Sequence, residues 1–318
     1  MHDPIEAFRA SILAALCHAP DHIEPGRLHR FATGNRRGDT AGWCKLFEDR
    51  RGGVFGCYRQ GISDQWCAHN RETMTPSERA DLAQHVARAA AEREAQQRQQ
   101  WAENAGRIEK LWAQCQPLVP GDPVTLYVKA RGMPGVWPLP DLLRYHSALP
   151  YWHDDGNTTR HPAMVAPLIG PDGRMLALHR TYLSRDGRKA DLPTVKKLTG
   201  TAGPLTGACI PLFKPRAGVL GIAEGIETAL AAWCASAVPV VAAYSAGALA
   251  AWRWPQGLQR IVVFADFDKA GQEAADSLRA RALAAHLPCE VLTPTTEGAD
   301  WCDVWAGRDA TRIEGGTP

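Results

Sequence analysis

From residue 217 onward, short runs that are apolar at every position alternate with longer stretches whose apolar residues recur at helical spacing. Residues 219–223, 238–243 and 261–265 read as such strands, and 289–292, interrupted only by Glu290, reads as a fourth. Residues 227–235, 246–252 and 269–286 read as helices, with a last helical turn near Asp303. A strand without a polar face is buried on both sides, so the pattern predicts a parallel sheet with helices on both faces. Residues 217–318 are therefore expected to form an α/β domain.

Upstream the period changes. Residues 163–183 give an apolar strand, the turn Pro171-Asp172-Gly173 and a second strand, which is a hairpin pattern. The proline density of residues 117–150 predicts loops around one amphipathic helix at 123–131, stopped by Gly132. Residues 76–116 open on Pro76-Ser77-Glu78-Arg79 and continue rich in Ala, Gln, Glu and Arg, as a long helix does. The first seventy residues predict a short helix over 4–17 and hairpins over 28–66, with turn signals at Thr33-Gly34-Asn35 and Arg51-Gly52-Gly53. The expected organisation is a small N-terminal module (1–70), a helical connector (71–116), a mixed α+β basic subdomain (117–216) and the α/β domain (217–318).

Composition narrows the class. A chain of 318 residues with 45% hydrophobic content has ample material for a core, which excludes a disordered tail, a fibre and a disulfide-stapled miniprotein. Nine cysteines without a CxxC pair read as reduced thiols. The start of the chain lacks the pattern of a signal peptide, and no run of about 18 apolar residues occurs. The expectation is a cytoplasmic protein with no membrane partner. The formal charge of +2 conceals a division: residues 171–216 carry nine basic against three acidic side chains, and residues 217–318 carry seven against twelve. A basic segment precedes an acidic one, the distribution expected where phosphates meet a metal site.

In an open α/β sheet, ligands sit beyond the carboxyl ends of the strands. Acids stand at those positions: Glu224-Gly225 after 219–223, Asp266-Phe267-Asp268 after 261–265, and Asp300 and Asp303 after 289–292. Asp266 and Asp268 are two apart in extended chain and share a face. Gly225 is expected to remove a side chain that would crowd the backbone beside Glu224. Gathered carboxylates raise one another's pKa unless a cation neutralises them. Hard oxygen donors at a partly hydrated site suit Mg²⁺ or Mn²⁺. One acid at a strand end is usually a helix cap; three such sites in one array point to a metal centre.

These residues carry a family resemblance. Gly221-Ile222-Ala223-Glu224-Gly225-Ile226-Glu227-Thr228-Ala229, followed by Val262-Val263-Phe264-Ala265-Asp266-Phe267-Asp268, resembles the Toprim domain of bacterial primases, topoisomerases and some nucleases. With Lys269-Ala270-Gly271 after the Asp pair, it looks most like the primase-type Toprim proteins of phages, plasmids and integrated elements. Asp300-Trp301-Cys302-Asp303 resembles the late acidic motif of that group, with Cys302 where Asn is expected. Residues 173–198 are similar to the basic subdomain that precedes Toprim in primases. The resemblance implies that Glu224, Asp266, Asp268, Asp300 and Asp303 hold divalent ions. It also implies that Arg180, Lys196 and Lys197 hold the nucleotide or template.

The remaining motifs are read without that help. Cys44, Cys57, Cys67 and His69 lack the short paired spacing of a zinc knuckle, so zinc is not expected. Arg36, Arg37, Arg50 and Arg51 with Trp43, Phe55, Tyr58 and Trp66 form either a stacking surface for single strands or the core of a small domain. His146, His153 and His161 with Asp154 and Asp155 are read as surface residues of a broken loop. No GxxxxGK[ST] loop is present, so a helicase motor would be a separate protein. The expected function is a primase-like nucleotidyltransferase acting on single-stranded DNA with nucleoside triphosphates. The alternatives are a Toprim nuclease and a non-catalytic nucleic-acid-binding adaptor of a mobile element.

Overall fold

A computed structural model describes residues 3–34, 39–68, 74–133, 138–295, 301–302 and 304–305. The chain divides into two compact units, Met1–Gln99 and Gln100–Pro318. Among the described residues, no helix is long and apolar enough to cross a membrane.

The first unit holds helix α1 (Pro4–Leu16), strands β1 (His29–Phe31), β2 (Gly42–Leu46), β3 (Gly52–Cys57) and β4 (Ile62–Cys67), and the start of helix α2 (Pro76–Ala113). The strands form one antiparallel sheet in chain order. Asp3 caps α1 by accepting from the Ile5 amide, and Pro4 follows at the first turn, where its missing N–H costs nothing. Phe8, Ile12 and Leu16 of α1 then pack on Cys44, Leu46, Phe55 and Cys57. The other face of the sheet buries Trp43, Phe47 and Val54 against Ala89 of α2. Covered on both sides, β2 is buried at every position.

One expectation for this unit is corrected and one open choice is decided. The turn between β2 and β3 is made at residues 48–51, with Arg50 at φ 56°, and Gly52 and Gly53 lie inside β3. They are glycines because of packing: a Cβ on Gly53 would stand 2.8 Å from the Phe8 ring, and one on Gly52 2.9 Å from Leu82. Trp43 and Phe55 are core residues at 2% exposure, whereas Tyr58 is exposed. Cys44 is buried, which pushes its thiol up to about 12. Among the described residues no group of three or more His, Cys, Asp and Glu is placed to hold a metal ion. Arg36, Arg37 and His69 lie outside the described residues.

The second unit contains two sheets. The first takes β5 (Gln116–Pro117), β6 (Arg144–Trp152), β7 (Thr158–Ile169), β8 (Met175–Tyr182) and β9 (Lys196–Leu198) in that order, all antiparallel, with helix α3 (Pro123–Ala130) between β5 and β6. The second comprises β10 (Val219–Ala223), β11 (Val240–Ala242), β12 (Arg260–Phe264) and β13 (Cys289–Leu292), parallel and in the order β11-β10-β12-β13. Helices α4 (Ile226–Ser236), α5 (Ala246–Ala251) and α6 (Lys269–Ala284) connect its strands.

The strand alternation sorts this core into layers. Leu220, Ile222, Ile261 and Val263 face α5 and α6, while Ala223, Val262 and Phe264 face α4. The α4 layer continues into Met164, Ala166, Leu168 and Ala177 of the antiparallel sheet and Tyr127 of α3, so both sheets share one core. The opposite face of the antiparallel sheet buries Leu178 and Tyr182 with Ile108 of α2.

His146, expected in a loop, lies in β6, and His161 lies in β7. The prolines misled because β6 is nearly an edge strand: β5 pairs only with Arg144 and Tyr145, so Pro150 removes no ladder bond on that side.

Gly187 gives the sharpest test of this packing. It sits at φ 76° in the turn after β8, and a Cβ there would collide with Leu126 Cβ and stand 2.7 Å from the Tyr127 amide nitrogen of α3. Gly173 has nearly the same φ, 80°, with nothing within 4 Å. Left-handed backbone alone costs about 1–2 kcal/mol for a non-glycine residue. Gly173→Ala is expected to lose about that much in urea unfolding, and Gly187→Ala at least about 2 kcal/mol more, as overpacking adds to it. Equal losses would refute the α3 contact.

Candidate active-site cleft

The carboxyl ends of β10 and β12 open on a cleft of about 230 Å³ whose charged lining includes Arg131, Lys189, Lys196, Glu224 and Asp266. Adjacent parallel strands end side by side here, with Ala223 paired to Phe264, so Glu224 and Asp266 emerge from neighbouring positions. The basic wall comes from the end of α3, the turn after β8, and β9.

Glu224 is held above the usual carboxylate range. Burial is the main cause and the Asp268 charge adds to it; Lys196 and a hydrogen bond from the Ala246 amide oppose them. Asp268 is also the N-cap of α6, its Oδ1 accepting from the Gly271 amide at 2.7 Å. A Cβ on Gly271 would lie 2.8 Å from the Asp266 carbonyl oxygen, so only glycine lets the helix start this close to the acid pair. The expected reason for Gly225 differs from the observed one: a Cβ there would meet Glu227 Oε2 at 3.5 Å, an ordinary contact, and the residue instead is the N-cap of α4 on the cleft wall.

The basic candidates separate by strand alternation. Lys196 pairs with Thr181, and Lys197 pairs with Arg180. Lys196 reaches the cleft and binds Glu227 Oε2 at 2.9 Å. Arg180 is buried at 8% exposure and donates to the Leu198 carbonyl at 2.6 Å and to the Tyr182 hydroxyl at 3.3 Å. Lys197 lies 3.6 Å from the centre of the Tyr151 ring. The structure therefore brings Lys196 to the acids and leaves Arg180 and Lys197 on the other face of the sheet. Asp300 and Asp303 lie outside the described residues. Between them, Trp301 is anchored by donating to the Ala265 carbonyl at 3.3 Å and by an edge contact with Phe264, and Cys302 is buried.

Several residues of the cleft escaped the sequence reading. Glu227 was visible in the motif but carried no assigned role; it is buried, with Tyr127 donating to its Oε1 at 2.8 Å. Burial alone would raise its pKa; the Lys196 charge, hydrogen bonds from Lys196 and the Glu227 backbone, and that from Tyr127 outweigh it and bring the carboxyl down to about 2. His179, at 8% exposure, lines the cleft beside them, and burial pushes its imidazole down to about 4, so it is neutral at pH 7. The period-2 phase of β8 was the available signal: His179 and Thr181 share the face that Arg180 leaves. Tyr244, also on the wall, sits at φ 81° with its amide donating to the Glu224 carbonyl at 2.7 Å. No sequence rule marks that position, because an aromatic residue seldom takes left-handed backbone.

The donor set fits a divalent ion. Mg²⁺ is commonly held by one or two carboxylates plus substrate phosphates and water, which matches Glu224 and Asp266 at a cleft mouth better than a cage of three acids would. The raised Glu224 pKa fits as well, because a nearby cation stabilises the ionised form that burial and, second, the Asp268 charge disfavour. The sign follows: a carboxyl raised in the folded state costs stability progressively as pH rises from its unfolded toward its folded value, and that cost is fully present above the folded value. Glu224→Gln is therefore expected to raise Tm at pH 7.5 in chelator. Added Mn²⁺ is expected to raise the wild-type Tm and to leave that of the variant nearly unchanged. A variant less stable than wild type in chelator would contradict the electrostatics.

Two family models match the chain: residues 102–209 match a domain of unknown function (DUF7146), and residues 219–310 match the Toprim domain. No curated protein matches. Among solved structures, a DNA primase domain from Pseudomonas aeruginosa is 18% identical at a TM-score of 0.36, covering 52% of this chain and 55% of that one. The primase fragment of the bacteriophage T7 primase-helicase protein is 18% identical at 0.36, covering 54% and 66%. The Aquifex aeolicus primase (zinc-binding and RNA polymerase domains) is 13% identical at 0.41, covering 98% and 85%. The match thus spans just over half of the Pseudomonas chain. The family model, the parallel sheet and the acids at its strand ends agree: residues 219–310 form a Toprim domain, preceded by an α+β region.

Proposed function

We propose that this protein is a primase-like nucleotidyltransferase, joining nucleotides on single-stranded DNA by a divalent-metal mechanism. The observation that carries the reading is one cleft lined by both signs of charge: Glu224 and Asp266 at the ends of adjacent Toprim strands, and Arg131, Lys189 and Lys196 from the preceding region. Acids alone would suit a cation and bases alone an anion. The pair suits a metal–triphosphate complex.

In this reading Glu224 and Asp266 hold Mg²⁺ or Mn²⁺, with Asp268, Asp300 and Asp303 as further donors. A bound divalent ion supplies charge neutralisation at phosphate oxygens and activates a hydroxyl. Arg131, Lys189 and Lys196 bind and orient the triphosphate, and Glu227 pairs with Lys196. Neutral His179 adds a hydrogen-bonding group without adding charge. Arg180 and Lys197 belong to the other face of the sheet; if they meet nucleic acid they do so as part of a template surface, away from the reacting phosphates. The partners are single-stranded DNA and nucleoside triphosphates, with a replicative helicase as a further one. The acids and the Toprim match support this assignment over a non-catalytic adaptor.

The test is incubation of the full chain with labelled single-stranded DNA, nucleotides and Mn²⁺. Longer products support the proposal. Shorter products identify a nuclease, and neither product together with no Mn²⁺ binding identifies an adaptor. Glu224→Ala is expected to lower product formation at least about a hundredfold, the scale of losing a charge-stabilising group. A variant retaining more than about a tenth of wild-type activity removes Glu224 from the mechanism.

A further inference from the structure

Glu227 stands three residues beyond Glu224 yet is absent from the row of acids proposed to hold metal. Each of its carboxylate oxygens receives a donor on its own side: Tyr127 of α3 at 2.8 Å on Oε1, and Lys196 of β9 at 2.9 Å on Oε2. Three elements far apart in sequence meet there, two from the antiparallel region and one from the Toprim domain. The two ends of the ion pair differ in burial. Glu227 has a side-chain exposure of 9% and Lys196 41%, so the carboxylate lies in the core and the ammonium at the cleft.

We propose that Glu227, steadied by Tyr127, is a positioning residue that fixes the Lys196 ammonium in the cleft as a binding group for polyphosphate. A lysine ammonium has three donors, and Glu227 takes one, leaving two for a ligand. A free lysine spreads its charge over many rotamers, and ordering it on binding costs affinity. A carboxylate beside a cation also lowers the local positive charge, which weakens anion binding if charge is all that matters. The two effects of Glu227 therefore have opposite signs, and its placement favours the first. Its carboxylate lines the same cleft but is nearly buried, while the ammonium is the more exposed end of the pair, so the lysine is the end that presents its remaining donors to an incoming anion. The ligand class rests on the proposed nucleotidyl transfer, and the positioning role rests on geometry.

Calorimetry of the full chain with inorganic pyrophosphate, in chelator and without template or nucleotide, tests this apart from catalysis. Lys196→Met is expected to weaken pyrophosphate binding about tenfold. Glu227→Gln is expected to weaken it by about the same factor although it makes the protein more positive, and the double variant to bind no worse than Lys196→Met. Tyr127→Phe removes one hydrogen bond, is expected to weaken binding about threefold, and loses that effect in the Lys196→Met background. The Tyr127 cycle decides the matter if Glu227→Gln does not fold. Unchanged or tighter binding by Glu227→Gln, an additive double variant, or no pyrophosphate binding by the wild type would overturn the proposal. Unchanged affinity with reduced stability would make Glu227 a structural brace alone. A chain that binds pyrophosphate through Lys196 but extends no primer keeps this proposal and loses the nucleotidyltransferase reading.

Discussion

An ionised carboxylate taken almost wholly out of water has to be compensated on the spot, and in the Gln100–Pro318 unit that requirement falls on Glu227. Removing a charge from water costs several kcal/mol after relaxation, more than a distant countercharge returns. Compensation here is local: one oxygen is met by the Lys196 ammonium and the other by the Tyr127 hydroxyl. Tyr127 remains protonated, since burial first and the Glu227 charge second push its pKa up. The three groups satisfy one another only if α3, β9 and α4 take one relative placement. Apolar packing around them, with Val124, Ile226 and Leu230 in the same layer, tolerates small shifts that the polar contacts do not.

That constraint places the basic wall relative to the acidic one. The strand ends of the Toprim sheet bring Glu224 and Asp266 to neighbouring positions by backbone register. The opposite wall is built on β9, a three-residue strand at the edge of an antiparallel sheet, and on the turn containing Lys189. Short edge elements are the mobile part of a sheet. The Lys196–Glu227 ion pair ties this one to α4, the helix that follows Glu224 directly, so both walls refer to the same short segment of chain. Gly187 serves the same junction, allowing the turn before Lys189 to lie against the backbone of α3.

Much of the Toprim sheet was legible because its signals are local. Residues 219–223 and 289–292 match β10 and β13 residue for residue, since apolar runs bounded by glycine, proline or acids leave little choice. The acids at strand ends followed from topology alone. What failed required knowing which face a residue occupies. Arg180 and Lys196 are both basic and both in the charged segment, but a period of two sends them to opposite sides of the antiparallel sheet. Counting outward from the buried Ala177 would have selected His179 over Arg180. Glu227 was harder: its partner Tyr127 is a hundred residues away, and no local pattern distinguishes a buried carboxylate from a helix-opening one. Gly52 and Gly53 were read as a turn because glycine marks both turns and close contacts, and only the position of Phe8 decides between them.

Asp268 illustrates why the choice between helix cap and metal donor is a false one at this site. A carboxylate has two oxygens and about four acceptor positions, of which the Gly271 amide uses one. The cap fixes the side chain's orientation at the start of α6. The Asp268 charge raises the Glu224 pKa across the cleft, so the helix start helps to create the repulsion that a cation would relieve. Capping therefore does not compete with metal binding: it preorganises one acid and makes its neighbour more receptive. The apparent redundancy of acids at the strand ends then divides into two roles, with Glu224 and Asp266 lining the cleft and Asp268 setting the field in which Glu224 ionises.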